Sequence, residues 1–167
     1  GVAQVFYADY DNDGYGDADT TVEACESPEG YVQNTLDCND TDTAVSPSAD
    51  EYCDGIDNDC DGSIDEDFSV DASIWYADAD SDGYGDAESV YYACSQPNGY
   101  SADNRDCDDS NNTIHPSVDE LCNGTDDNCD GQVDEEGAID ARTWYEDGES
   151  DGFGDATETV SACAQPS

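Results

Sequence analysis

The 167 residues carry 45 Asp and Glu against 2 Lys and Arg, a formal net charge of −43. No compact domain holds that charge without counterions, and its sign excludes nucleic acid and anionic membrane surfaces as partners, because both are bound through Lys and Arg. Low hydrophobicity at high charge usually means disorder, but 9 Cys, 11 Tyr, 15 Gly and acids set at fixed intervals oppose that reading and leave basic proteins, cationic surfaces or metal ions as the counter-charge.

Cysteine this dense, with no CxxC pair and a single His, reads as disulfides formed in an oxidising compartment, hence a secreted or cell-surface protein. No signal peptide and no apolar run of transmembrane length occurs, so membrane insertion is not expected. The absence of Met implies a processed or excerpted chain.

A period of 69 residues organises the sequence: Cys25, Cys94 and Cys163 keep this interval, as do Pro28, Pro97 and Pro166, and Gly14, Gly83 and Gly152. The expected units are 1–69, 70–138 and a truncated third repeat, 139–167. No insertion separates the first two, so most of each period is pinned by staples or ions.

In chain order, each period opens with a short predicted strand, Val5–Tyr7 and Ile74–Tyr76, and Val90–Tyr92 supplies a returning strand after the loop of the second. The acidic loop that follows the opening strand contains Asp9, Asp11, Asp13, Gly14, Tyr15 and Asp17. Its counterparts are Asp78, Asp80, Asp82, Gly83, Tyr84 and Asp86, then Asp147, Glu149, Asp151, Gly152, Phe153 and Asp155. This is the DxDxDG opening of a calcium loop: carboxylates at positions 1, 3 and 5 converge on an ion, and Gly at position 6 permits the sharp turn. Position 7 (Tyr15, Tyr84, Phe153) gives a backbone carbonyl, and the acid at position 9 binds directly or through water.

A second acidic cluster runs Asp37-Cys38-Asn39-Asp40-Thr41-Asp42, matched by Asp106-Cys107-Asp108-Asp109; we assign Asp37, Asn39, Asp106 and Asp108 as ligands. After Pro47 and Pro116, one helical turn is expected at 48–52 and at 117–121. Asp50-Glu51 and Asp119-Glu120 follow, available to complete either neighbouring site. Each period then closes on another loop of the same grammar: Asp57, Asp59, Asp61, Ser63, Asp65 and Glu66, and later Asp126, Asn128, Asp130, Gln132, Asp134 and Glu135. The EF-hand glutamate at position 12 is replaced by Thr20, Ser89 and Phe68, although Glu158 stands there in the third copy of the opening loop; these are therefore not read as EF-hands, and a missing ligand must come from a neighbouring turn or from water.

Four cysteines per period allow three connectivities. The expectation is nearest-neighbour pairing, Cys25 with Cys38, Cys94 with Cys107, Cys53 with Cys60 and Cys122 with Cys129, leaving Cys163 for a neighbour or an absent position. Oxygen-only flexible loops suit calcium, at about two to three ions per repeat, over magnesium, and the lack of Met and of repeated His argues against copper or zinc. His115 replaces Ser46 of the preceding period and reads as a surface residue. Asn39, Asn111 and Asn123 are in Asn-x-Thr sequons.

The run from Asp37-Cys38-Asn39-Asp40 through Pro47 and Glu51 to Cys53-Asp54-Gly55-Ile56-Asp57-Asn58-Asp59-Cys60-Asp61-Gly62 resembles the metal-binding motif of MopE-type secreted bacterial proteins. In acid spacing the chain is more loosely similar to thrombospondin type 3 repeats. The first resemblance implies a secreted or surface-exposed repeat protein, with copper linked to one branch; the second implies wire-like calcium coordination with little regular structure.

The expected fold is thus mostly irregular coil with short β-hairpins and single helical turns, in disulfide- and calcium-stapled tandem repeats forming an elongated array. The expected function is structural: a calcium-binding rod or extracellular filament that self-associates or continues into further repeats. Alternatives are an adhesin stalk or a calcium-buffering, mineral-binding surface. Catalysis is not expected, because every carboxylate cluster is accounted for by ion ligation.

Overall fold

The structure, a computed structural model, describes residues 1–166. Eight short strands are the regular elements among them: β1 (Gln4–Ala8), β2 (Asp17–Ala24), β3 (Tyr31–Val32), β4 (Ser73–Ala77), β5 (Val90–Ala93), β6 (Tyr100–Ser101), β7 (Arg142–Glu146) and β8 (Asp155–Ala162). They form sheets ordered β2-β1-β3, β5-β4-β6 and β7-β8, one per period. The three predicted strand segments fall within β1, β4 and β5, each of which runs one residue further.

The hairpins repeat in register. Gln4 faces Ala24 and Tyr7 faces Thr21, then a shift sets Ala8 opposite Asp17. Arg142 faces Ala162, Tyr145 faces Thr159, and the same shift sets Glu146 opposite Asp155. The shift accommodates the acidic loop between the strands. It also brings the second loop glycine against the first strand: a Cβ on Gly16 would stand 2.7 Å from Val32 Cγ2 and 2.9 Å from the Asn34 carbonyl, and one on Gly85 would stand 2.8 Å from the Tyr76 carbonyl. Only glycine allows this approach.

The segments expected as helical turns are instead hydrogen-bonded turns slightly upstream. Ala49 N–H donates to the Ser46 carbonyl at 2.8 Å, and Val118 N–H to that of His115 at 3.2 Å. No helix occurs among the described residues. Pro47 and Pro116 fix the turn's φ, but further on Tyr52 N–H donates to Asn58 Oδ1 in the closing loop and Cys53 N–H to Asp71 Oδ1 beyond it, which ends any helical continuation.

Little apolar core exists. Phe6, Ala8, Val45, Ala93, Ile114 and Ala138 are buried, while Ile64, Phe68, Val70 and Ile139 stay exposed, and the buried polar set includes Asp9, Asp40, Glu51, Asn58, Glu120 and Asp127. Chain contacts divide the described residues into two compact units. The first comprises Gly1–Ile74 with Tyr92–Ser95; the second comprises Trp75–Tyr91 and the chain from Gln96 on.

The disulfides overturn the nearest-neighbour expectation. Cys38 pairs with Cys60 and Cys107 with Cys129, 22 residues apart, while Cys53 pairs with Cys94 and Cys122 with Cys163, 41 residues apart. Cys163 is therefore bonded within the chain, and Cys25 is the free thiol. The physical reason is the turn geometry. Cys60 sits inside the closing loop with φ of 57°, and there its Sγ accepts the Cys38 N–H at 3.2 Å, which places it against Cys38 and away from Cys53. On the chain-entropy model, rings of these sizes contribute about 3 to 4 kcal/mol each, a large share of the stability of a chain with so small a core. Peptide mapping of the unreduced protein is expected to return these four linkages with one titratable thiol at Cys25; a Cys25–Cys38 peptide would contradict the fold.

Candidate metal centres

Two acidic cages form in each full period. The first is built on the loop after the opening strand. Asp9 N–H donates to the Gly30 carbonyl at 3.0 Å, anchoring the loop to the sheet. Asp11 Oδ1 then accepts the Asp13 N–H at 3.1 Å, and Asp13 Oδ1 accepts the Tyr15 N–H at 2.8 Å. Gly14, at φ of 97°, makes the reversal between them. Asp11 and Asp13 thus each spend one oxygen on folding their own loop, an Asx turn repeated along the chain.

The other oxygens have no partner. Asp9 Oδ1, Asp11 Oδ2 and Asp13 Oδ2 are buried without a hydrogen bond, and so are Asp37 Oδ2 and Asp40 Oδ2. The second cluster covers the first loop: Asp40 Oδ1 accepts the Tyr10 N–H at 2.9 Å across 30 residues, and Asp37 Oδ1 accepts the Asn39 N–H at 2.7 Å. One oxygen each from Asp9, Asp11 and Asp13 lie within 4.8 Å of one another, as do those from Asp11, Asp37 and Asp40.

The second period repeats the construction. Asp78 Oδ2 accepts the Gly83 N–H, Asp80 Oδ1 that of Asp82, Asp82 Oδ1 that of Tyr84, and Asp109 Oδ1 that of Ala79 at 2.7 Å. Asp78 Oδ1, Asp80 Oδ2, Asp82 Oδ2 and Asp106 Oδ2 are left buried and unpartnered, and Asp78, Asp80 and Asp109 converge within 4.8 Å.

The other cage uses the closing loop. Asp57 accepts the N–H groups of Asp61 and Gly62, Asp59 that of Asp61, and Asp61 that of Ser63. Asp59, Asp61 and Glu66 converge within 4.8 Å, and Glu66 Oε2 is buried without a partner. Asp126 and Asp130 repeat this pattern, with Gln132 N–H donating to Asp130 Oδ1. Asn128 replaces Asp59, and its amide donates to Glu135 Oε1 at 3.1 Å, while Glu135 Oε2 remains unpartnered.

Several predicted ligands are used differently. Asn39 and Asp108 accept the hydroxyls of Thr41 and Ser110 at the surface side of their turns, and Asp40 and Asp109 take the cage positions that sequence reasoning did not assign them. The available signal was that position 39 alternates between Asn and Asp across periods, whereas position 40 is Asp in both. Asp17 accepts the Asp19 N–H and the Thr20 hydroxyl, Asp86 the Glu88 N–H and the Ser89 hydroxyl, and Asp155 the N–H and hydroxyl of Thr157. The Ser89 hydroxyl, then the Glu88 N–H, hold Asp86 below the usual carboxylate range; the Thr157 N–H and hydroxyl do the same for Asp155. Asp65 and Asp134 turn to the N–H groups of Gly55 and Gly124.

The third loop folds alike. Asp147 accepts the Asp151 and Gly152 N–H groups, and Asp151 accepts that of Phe153. Asp147, Glu149, Asp151 and Asp155 are all exposed, and no counterpart of Asp37 and Asp40 is among the described residues. The loop thus forms on its own, and the covering cluster does the burying.

Glu51 and Glu120 organise the closing cage, and Glu51 also stands in it: one oxygen each from Glu51, Asp57 and Asp59 lie within 4.8 Å of one another. Glu51, 8% exposed, accepts N–H groups of Asn58, Asp59 and Asp65; Glu120, 3% exposed, accepts those of Asp127, Asn128 and Asp134. Glu51→Ala would leave these donors unpaired in a buried turn and is expected to lower unfolding free energy by on the order of 3 kcal/mol in chemical denaturation; a change below about 0.5 kcal/mol would contradict the role.

Desolvation, followed by the backbone bond that opposes it and by repulsion from Asp13, Asp11 and Asp40, raises the Asp37 pKa. Asp40 and Asp106 are raised primarily by desolvation too, and Asp80 by desolvation and then Asp82. A carboxyl with a raised pKa holds its proton longer when folded. The metal-free protein therefore loses stability as pH rises from the ordinary Asp value of 3.8 through the raised one. A bound cation favours the ionised form and reverses the slope. Melting temperatures from about pH 4 to about pH 6 are expected to fall in chelator and to rise with metal present; parallel slopes would show that the cages do not take up an ion.

Residues 37–66 and 106–135, one per full period, match the family described as "Putative metal-binding motif", of the copper-binding MopE type. No curated protein and no solved structure matches the chain. The matched spans hold the covering acids and the closing loop. The DxDxDG loops lie outside them. The cages do not fit copper: their atoms are carboxylate oxygens, the chain has no Met, and His115 stacks on Tyr84 at 5.2 Å with its Nδ1 against the Ser117 hydroxyl.

Proposed function

We propose that the protein is an extracellular calcium-stabilised structural repeat, with at least one ion in each cage, that builds a rigid rod or filament outside the cell. One observation carries the reading: in the two covered DxDxDG cages Asp11, Asp13, Asp78, Asp80 and Asp82 each fold their own loop with one oxygen and bury a second that has no hydrogen-bond partner. Two carboxylates 4 Å apart repel by about 4 kcal/mol at an effective dielectric of 20, so the arrangement calls for a divalent cation at its centre. Oxygen-only ligation by three to five carboxylates, on loops with room for backbone carbonyls, suits the six to eight ligands of calcium better than the strict octahedron of magnesium.

The disulfides fit an oxidising compartment outside the cell. Among the described residues no helix is long and apolar enough to cross a membrane. The role is structural and not catalytic, because the clustered carboxylates are engaged in folding their loops and in facing the ion. The Asn128 amide removes one charge from the last cage, which should therefore bind its ion more weakly than the cage of Asp59.

Calcium titrated into chelated protein is expected to restore circular dichroism and resistance to limited proteolysis, with magnesium and copper failing at equal concentration. Binding at about 10⁻⁴ to 10⁻³ M, as in extracellular modules, would suffice outside the cell. Protein that stays ordered and resistant in chelator would sink the calcium reading. Small-angle scattering of the loaded chain as a compact sphere or a flexible string would sink the rod.

A further inference from the structure

The acids of the first opening cage are gathered in two triads that share a member. Asp9, Asp11 and Asp13 bring one oxygen each within 4.8 Å of one another, and Asp11, Asp37 and Asp40 do the same. Two oxygens on opposite sides of a calcium ion, each about 2.3 to 2.6 Å from it, stand about 5 Å apart, so either triad has the size of one ion's shell.

Each triad also contains a buried acid with an oxygen that meets nothing. In the first it is Asp9, 8% exposed, whose Oδ1 has no hydrogen-bond partner; in the second it is Asp40, 9% exposed, whose Oδ2 has none. Asp11 spends its Oδ1 on the Asp13 N–H, and its Oδ2, buried and without a partner, is the oxygen left for both triads. Charge gives the same count. Asp9, Asp11, Asp13, Asp37 and Asp40 bring five negative charges together, and among the described residues no basic side chain is paired with any of them. Against five charges, one divalent cation leaves three uncompensated where the unpartnered oxygens are shut off from water, and two cations leave one.

Given the calcium reading proposed above, on which this rests, we infer that the first opening cage holds a pair of calcium ions bridged by Asp11: one inside the loop with Asp9 and Asp13, the other between the loop and the covering cluster with Asp37 and Asp40. Bidentate carboxylates and water make up the six to eight ligands that calcium takes. The two positions do different work. The inner ion closes a turn whose members are neighbours in sequence. The outer one ties that turn to the first acids of the matched span, residues 37–66, so the metal site crosses the boundary of the family motif. Asp78, Asp80, Asp82, Asp106 and Asp109 stand at the same five positions of the second period.

The test counts ions on the intact chain. Calcium-45 bound at saturation is measured by equilibrium dialysis for the wild type, Asp9→Asn, Asp40→Asn, their double variant and Asp11→Asn. In each an amide replaces a ligating oxygen, while Oδ1 of residues 11 and 40 can still accept the Asp13 and Tyr10 N–H groups that fold the turns. Either of the first two variants is expected to lose one calcium per chain, the double variant two, and Asp11→Asn two. Loss of at most one calcium by the double variant or by Asp11→Asn would overturn the pair and leave the calcium reading standing; a wild type that takes up no calcium would overturn both. Peptide mapping of the four disulfides reports that each variant has folded. Anomalous scattering from terbium-soaked crystals of the wild type needs no variant: two peaks about 4 Å apart at Asp11 are expected, and a single peak would refute the pair.

Discussion

The constraint on which the molecule turns is that its carboxylates serve two masters. One oxygen each of Asp11, Asp13, Asp78, Asp80 and Asp82 takes a backbone N–H and thereby makes the turn; the other is carried into the interior by that same turn. Folding the loop and assembling a set of like charges are therefore one event. A hydrophobic core does not offset the repulsion, since the buried apolar residues are mostly small: two alanines, a valine and an isoleucine accompany Phe6 and Ala138. Stability has to come from covalent rings and from a cation at the point where the carboxylates meet.

The burial itself comes from a partnership distant in sequence. A DxDxDG loop alone, as at Asp147–Asp155, closes its turn yet leaves its acids in water. Asp37 and Asp40 convert the equivalent loop into a cage, and Asp106 and Asp109 do so in the second period. The Cys38–Cys60 bond sits between Asp37 of the covering cluster and Asp59 and Asp61 of the closing loop, so the two cages of one period share a covalent brace. The family match spans this brace and the closing loop, and the DxDxDG loop joins them through contacts that begin 30 residues earlier.

What was legible in the sequence was what local chemistry decides. The positions of Asp9, Asp11 and Asp13, the reversal at Gly14 and the strands on either side all follow from neighbours within a few residues, and the 69-residue interval exposed their recurrence. The assignment of Asn39 over Asp40 failed because the choice depends on which side chain faces Tyr10 N–H, a fact of tertiary placement. The disulfides failed for a related reason. Short spacing favours closure in an unfolded chain, but pairing is fixed by where the folded turn points each Cβ. Glu51 and Glu120 were visible as acids able to complete a neighbouring site, and Glu51 does converge with Asp57 and Asp59; the N–H groups that both collect were not legible, because nothing in composition marks a carboxylate that gathers N–H groups.

The crossing order of the four disulfides bears on how the chain would carry load. Tension entering from the first hairpin reaches Cys38, passes through sulfur to Cys60, runs backward along the peptide to Cys53, and passes through sulfur again to Cys94. The next period repeats the detour, from Cys107 to Cys129, back to Cys122 and on to Cys163. The stretches 39–52 and 61–93, with 108–121 and 130–162, are thereby shielded from force and cannot pay out as slack. A peptide cut within any of them would leave the two halves joined. Most of the contour is thus held in reserve behind sulfur, and the loaded path, apart from the link from Cys94 to Cys107, consists of short reversed segments that begin inside the metal loops themselves.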